Sequence, residues 1–600
     1  VDEQGENTQG AAVGEVPLSE YSADLLEGYR DAAVIVLGRD AGESACFYPG
    51  LNGLDNAEEF TDSPTGNILS LSNEERDLVR WVEEQGFGKI VVLLNSATAM
   101  EIEELKQDAG VDSILWIGNP GAYGTYGIAK LLSGEMLPSG HLPDTFAVNS
   151  ALSPAAQNYG IFSFANADDI ETTKNHALRA EWYIVEAEGI YTGYRYYETR
   201  YFDSVLCQGN AATALSGEAV NGSRTWDYDS EVSYAFGFGL EGSTFSEEIT
   251  QMQIDWSGSD PSAVTVKVTN TGDQAAKHAV QLYVSLPYTD YDREAGVEKA
   301  SVELVGFEKT NILAPGASQR ITIPVSRDSF KTYDANGYQT YIVEPGEYYL
   351  ALGASAHDAL NNILALKGKT TADGMDQEGN AAFALRVGEN ITLDAVSYSI
   401  SAETGASITN QLSFADINSY EGRGDNTVTY VSRKDWAGTF PSAAVTLTVT
   451  EQMANDLISI KPIAEDETMD MPAYGAANGL SLIMLRGEKD DAELWEDLLD
   501  QMTWDEQADL VMLAGYGTRG ASSVALPEIK AEDGPTGVVD SAESVSFPSE
   551  GIWAASFNRD ILRKVGDAIA EDALNVGVTG MYLPGVNIHR TPFGGRSHEY

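Results

Sequence analysis

The chain has 600 residues with a formal net charge of -56, 43% hydrophobic and 21% charged. That apolar content is ordinary for globular protein and supplies core for several domains. The acidic excess repels phosphate backbones and anionic lipid, which argues against nucleic acid and leaves neutral polymers such as glycans as partners.

In chain order, the first residues (V-D-E-Q-G-E-N) lack an initiator Met and a basic-then-apolar signal pattern, so the sequence reads as a fragment whose localisation is open. Ala32 to Gly38 is a continuous apolar run of strand length, followed by R-D-A-G-E-S-A-C. Ser72 with Glu75 spells a capping box that opens a helix through Leu78, Val79 and Val82. Ile90 to Leu94 and Ser113 to Ile117 are further buried strands, with helical segments at Met100 to Gln107 and Gly127 to Leu132. This alternation predicts a parallel α/β sheet, whose ligands bind beyond the carboxyl ends of its strands, where Asp40 and Glu43 fall.

Gly189 to Tyr197 reads either as a sugar-stacking platform or as a loop packed across a domain junction. The apolar period then becomes two: Val264, Val266 and Val268; Val280, Leu282, Val284 and Leu286; Ile321, Ile323 and Val325. Turn signals at Asn270-Thr271-Gly272, Pro315-Gly316 and Pro345-Gly346 separate these runs and predict an antiparallel β-sandwich. Residues 366–500 read as a long linker wrapping other domains, with a strand-like run at Ala443 to Val449. Thr503 with Glu506 caps a helix, a short strand ends in Glu532-Asp533-Gly534-Pro535, and Asn558 opens a helix carrying Ile561, Leu562, Val565 and Ile569. An apolar strand (Met581, Tyr582, Leu583, then Val586 and Ile588) runs into His589, Arg590, Arg596 and Glu599, and this order fits the start of a (β/α) barrel. Guanidinium forks and carboxylates held by prolines and glycines suit recognition of sugar hydroxyls; alternatively Arg590 and Glu599 form a buried ion pair.

Cys46 and Cys207 are the only cysteines, so neither a disulfide framework nor a thiolate metal site is expected. His589 and His598 lack a third ligand around them, so no metal is expected either. No cofactor is implied, and no apolar run reaches the ~18 residues of a membrane span.

Several long motifs in register resemble glycoside hydrolase family 3, the β-glucosidase and β-xylosidase family. They are A-E-D-G-P-T-G-V (531–538), N-I-H-R-T-P-F-G-G-R-S-H-E-Y (587–600), the stretch N-P-G-A-Y-G-T-Y through L-P-D-T-F (119–146) and Y-A-F-G-F-G-L (234–240). V-T-V-K-V-T-N-T-G through Q-L-Y-V-S-L-P and L-V-G-F-E-K-T resembles the family's fibronectin type III-like domain. The implied organisation is an α/β sandwich domain at 1–205 with its N-terminal part missing, a fibronectin type III-like domain with connector at 206–365, a linker at 366–500 and the truncated start of a (β/α)8 TIM-type barrel at 501–600. That is the order of a branch whose domains are reversed.

The resemblance implies a retaining β-glycosidase, first a β-glucosidase, acting on a terminal β-glycosyl residue of an oligosaccharide or glycoside by double displacement. Glu43 takes the acid/base position, with its protonated form favoured by burial in an interdomain cleft. Asp533 and Arg596 take the positions that grip the sugar, His598 a minor contact there, and Arg590 and Glu599 supporting positions. Where many relatives carry an aspartate shortly after the glutamate, this chain has Cys46. The nucleophile is expected beyond residue 600. Lys434-Asp435-Trp436 superficially matches the nucleophile motif but precedes the barrel, and reads as a decoy. β-Xylosidase, β-N-acetylglucosaminidase and a non-catalytic glycan-binding surface protein are the other readings, and the sequence leaves oligomeric state open.

Overall fold

A computed structural model describes residues 16–43, 45–51, 57–167, 182–212, 226–256, 261–388, 391–436, 445–458, 472–513, 515, 517–538 and 544–600. The first domain is built on three parallel strands, β1 (Ala33–Arg39), β2 (Ile90–Ser96) and β3 (Ser113–Trp116), in that spatial order. Helices α1 (Asn73–Glu84), α2 (Glu103–Gln107) and α3 (Gly124–Leu132) intervene or follow. The Ser72–Glu75 capping box forms, and Val79 and Val82 of α1 pack on Ile35, Leu37, Val92 and Leu94.

The expected β-sandwich is present. Ser318–Pro324, Ala263–Asn270 and Phe245–Gln253 form one antiparallel sheet. Glu303–Lys309, Ala279–Ser285, Tyr348–Leu352 and Ala384–Val387 form the other. Val264, Val266, Val268, Val280, Leu282, Val284, Ile321 and Ile323 fill the space between them, as the period of two requires. Every residue of Ala279–Ser285 is buried because helical segments cover that sheet's second face, where Tyr283 joins a cluster with Tyr197, Tyr201 and Leu360.

Three expectations for the middle of the chain change. Tyr194–Tyr197 is the first turn of a buried helix, Tyr194–Val205, and offers no open stacking surface. That helix does pack across the domain junction: the Leu304 N–H donates to the Tyr194 hydroxyl at 3.1 Å, and Tyr194 stacks on Phe236. Residues after 365 are more than a linker, because Ala384–Val387 adds the fourth strand to the sandwich. The run at 443–449 starts outside the described residues, and 445–449 is extended but joins no sheet. Its amides bond to side chains in place of a ladder. The Val445 N–H donates to Asn158 Oδ1 at 3.1 Å, Leu447 to the Tyr183 hydroxyl at 3.2 Å, and Val449 to Asn166 Oδ1 at 2.8 Å.

In the C-terminal hundred residues, the strands Ile529–Asp533 and Gly580–Tyr582 pair in parallel across the helix Arg559–Asn575, which Asn558 caps as expected. The apolar strand expected to continue through Ile588 stops at Tyr582, before Pro584, which has no N–H to give a ladder. Val586 and Ile588 are 86% and 66% exposed, so the tail is not a buried strand. No helix among the described residues is long and apolar enough to cross a membrane.

Candidate active site

Two segments far apart in sequence build the site. The first is the loop after β1, in which Gly42 and Ala45 bridge each other and hold Glu43 at the tip. The second is the tail 583–600. Its anchor is Phe593, fully buried among Phe47, Phe60, Ile68 and Leu69. The Phe47 N–H donates to the Phe593 carbonyl at 3.0 Å, and the Thr98 hydroxyl to the Pro592 carbonyl at 2.6 Å. Gly595 lies so close to the first loop that a Cβ there would fall 2.5 Å from the Gly42 carbonyl oxygen and 2.6 Å from that of Ala45. Gly585 is equally constrained: a Cβ would fall 1.8 Å from the Glu599 carbonyl oxygen.

This packing brings Glu43 and Arg596 together. Arg596 Nη1 donates to Glu43 Oε1 at 3.4 Å, across 553 positions of sequence. The stronger partner of Arg596 is Glu599, at 2.7 Å from Nε and 2.5 Å from Nη2. Glu43 is 75% exposed at its side chain, so the burial expected of the acid/base residue is absent. His598 Nε2 lies 3.3 Å from Glu599 Oε1. Arg590 pairs with Glu188, its Nη2 lying 3.2 Å from Oε2, and also donates to the Val185 carbonyl, which makes it a brace between the tail and the first domain. The alternative Arg590–Glu599 pair does not form. Asp533 stands exposed at the carboxyl end of its strand, in register with Tyr582, and no hydrogen bond or ion pair joins it to Glu43 or Arg596.

Two supporting carboxylates, Asp144 and Glu101, escape a reading of the sequence. His589 bonds Asp144 Oδ2 through Nδ1 at 2.8 Å and the Ser597 carbonyl through Nε2 at 2.9 Å. The Asp144 charge is the main cause that lifts its imidazole to about 9, so it is a cation that clamps the tail to the first domain. Burial pushes the Glu101 carboxyl up to about 7, although it accepts from Thr65, from Asn67 Nδ2 at 3.2 Å and from the Ser150 N–H at 2.7 Å. Asn67 in turn accepts from the Gly50 N–H at 2.7 Å, so Glu101 braces the Glu43 loop from behind. Asp144 falls inside the stretch L-P-D-T-F, which marked the motif without assigning it a task.

The decoy motif is structural. Trp436 is fully buried, its indole N–H donates to Asp203 Oδ2 at 3.0 Å, and Asp435 accepts from Asn210 Nδ2 at 2.9 Å. Cys46 and Cys207 are free thiols, half-buried and exposed. Among the described residues no group of three His, Cys, Asp or Glu side chains is placed to hold a metal.

Residues 22–194 match the glycosyl hydrolase family 3 C-terminal domain, and residues 278–356 the fibronectin type III-like domain. Both matched regions are thus similar to domains of glycoside hydrolase family 3 proteins. The chain is 25% identical to beta-glucosidase A of Butyrivibrio fibrisolvens, over 98% of this chain and 66% of the relative. It is 24% identical to a beta-glucosidase of Ruminococcus albus, over 98% of this chain and 51% of the relative. The crystal structure of a beta-glucosidase from Paenibacillus barengoltzii shares the fold, with a TM-score of 0.64 at 20% identity over 98% of this chain and 55% of that one. The chain thus spans between about half and two-thirds of the length of these three proteins.

Proposed function

We propose that this chain carries the acid/base loop and part of the sugar-gripping surface of a retaining β-glycosidase, first a β-glucosidase. Glu43 protonates the glycosidic oxygen and later activates water, while Asp533 and Arg596 hold sugar hydroxyls and His598 makes a minor contact. Arg590 and Glu599 keep the tail in place. The nucleophile is an aspartate supplied from outside residues 1–600, set ~5–5.5 Å from the acid/base as a retaining mechanism requires. In this reading residues 1–205 form the family's α/β domain, 206–365 its fibronectin-like domain with connector, and 501–600 the start of the barrel.

The observation that carries the proposal is the contact of Glu43 with Arg596 at 3.4 Å, made by two loops that the family resemblance assigns to one slot. The names of the relatives supply the β-glucoside. In the complete protein, Glu43→Ala is expected to lower turnover of alkyl β-glucosides by about 10²–10⁴-fold. It should spare kcat/KM for dinitrophenyl β-glucoside, whose leaving group needs no proton, while kcat on that substrate falls because water loses its base, and azide should restore that kcat with the β-glycosyl azide as product. Equal losses on both substrates without rescue would remove Glu43 from that role. Residues 1–600 alone should not turn over aryl β-glucosides; if they do, the nucleophile lies within them.

A further inference from the structure

A groove of about 740 Å³, sharing no residue with the site above, opens on the segment between the strand Ala384–Val387 and the helix Glu493–Gln501. Small-molecule sites run to roughly 300–1,000 Å³. Hydrogen bonds join its lining residues to one another. The Tyr420 hydroxyl donates to Asp456 Oδ2 at 2.5 Å, and Gln452 Nε2 donates to the same oxygen at 3.1 Å. The helix Glu451–Ile458 sets Gln452 and Asp456 four residues apart, on one face. Gly422 forms the floor: a Cβ there would fall 2.5 Å from both the Tyr420 hydroxyl and Gln452 Cγ. Beneath it, Val428, Leu447, Val449 and Met453 are buried together, and Asn426 Nδ2 ties the turn to Thr448 through a 2.7 Å bond.

The lining chemistry selects the ligand. Phe414 stands 78% exposed at the rim, an apolar plane facing solvent, and is the one wholly hydrocarbon side chain among the lining residues. Around it are hydroxyls, the Gln452 amide and the Glu421 and Asp456 carboxylates, with no Lys or Arg. A pyranose presents an apolar C–H face to such a ring and hydroxyls that both donate and accept to such groups. An anionic glycan or phosphate meets no cation here and faces a net charge of -56.

We propose that this groove is a second saccharide-binding site, which takes a neutral oligosaccharide with one ring on Phe414 and hydroxyls bonded to Gln452 and Glu421. It requires no chemistry at Glu43, so it stands or falls apart from the glycosidase reading. The test is affinity electrophoresis of residues 1–600 through gels containing soluble β-glucan, xylan or polygalacturonate. Retardation by at least one neutral polymer and not by polygalacturonate is expected. Phe414→Ala and Gln452→Ala, both at exposed side chains, should each weaken it about tenfold while melting at the parental temperature. A variant carrying Glu43→Gln and Asp533→Asn should be retarded like the parent. The proposal is overturned by no retardation in either neutral gel, by equal retardation in polygalacturonate, by retardation that survives Phe414→Ala and Gln452→Ala, or by retardation lost in the Glu43/Asp533 variant. Failure of the glycosidase reading is recorded separately, as absent hydrolysis by the complete protein with retardation intact.

Discussion

Glu75→Ala tests whether the Glu43 loop is held by a buried ion pair. Arg39 closes β1 and its five N–H groups all find acceptors: the carbonyls of Gly38, Ile68 and Ser70 at 2.5–2.6 Å, and the two Glu75 oxygens at 2.7 Å each. The side chains are 4% and 0% exposed, so water cannot replace the missing carboxylate. Removing one partner of a buried pair leaves the other charged and desolvated, at about 3–5 kcal/mol. Glu75 also accepts from the Ser72 N–H at 2.7 Å, so the helix loses its capping box. Unfolding of several domains is not two-state, and the assay is therefore hydrogen exchange read on β1 peptides. Their amides should exchange roughly two to three orders of magnitude faster. Asp77→Ala is the control on the same helix. Its pair with Arg80 spans 3.2 Å with side chains 66% and 60% exposed, and such pairs contribute less than about 1 kcal/mol. Exchange in Glu75→Ala no faster than in Asp77→Ala would refute the account. Because the turn that Arg39 pins contains Asn67, which holds Gly50, kcat/KM of the complete protein should fall as well.

Three further outcomes are expected. Gly595→Ala drives a Cβ into the Gly42 and Ala45 carbonyls, costing about 1–3 kcal/mol, and should raise exchange in 587–600 while leaving the sandwich unchanged; unaltered exchange there would remove the close approach. Trp436→Ala should destabilise by about 3–5 kcal/mol, whereas Asp435→Asn should leave turnover of the complete protein intact; abolished turnover in the latter would make the motif catalytic after all. The raised His589 imidazole contributes stability present in full below its ordinary 6.5 and lost as pH rises through about 9. Protection of the 587–600 amides should therefore decline across that window in the parent and stay flat in Asp144→Asn, and a parent without the decline would contradict the clamp.

What could be read in the sequence was what neighbours in sequence decide. Apolar runs of strand length made β1 and β2 legible, a period of two did the same for Ala279–Ser285, and Ser72–Glu75 and Asn558 mark their helices through bonds within a single turn. The helix Tyr194–Val205 was not legible, because it is buried nearly all round and carries Glu198, Arg200 and Asp203 inward, which removes the polar stripe. Its charges are answered far along the chain. Asp203 meets Arg433 at 2.6 Å, and Glu198 and Asp376 flank His357 at 2.8 and 2.7 Å. Burial works against that imidazole's charge, yet the two carboxylates outweigh it and lift it to about 10. The strand-like 445–449 failed for a related reason: its alternation is real, but asparagine and tyrosine side chains receive its amides. In the site, residue types at motif positions were legible and their pairings were not, so Arg590 went to Glu188 and left Glu599 to Arg596.

The division of labour within the two loops explains why an exposed Glu43 is compatible with a built site. Their meeting rests on backbone and core: the Phe47–Phe593 hydrogen bond, the Gly595 approach, and burial of the Phe593 ring, which contributes roughly 1.5–3 kcal/mol. The Glu43–Arg596 contact is long, with side chains 75% and 43% exposed, and contributes less than about 1 kcal/mol. Arg596 is oriented by Glu599 whether or not Glu43 is present. In the proposed function, a sugar hydroxyl would take the place of Glu43 on Arg596 and free the carboxyl for the glycosidic oxygen, without disturbing the backbone contacts made around Phe593. The pair reads as a closed latch between two side chains on a frame set by backbone and core contacts.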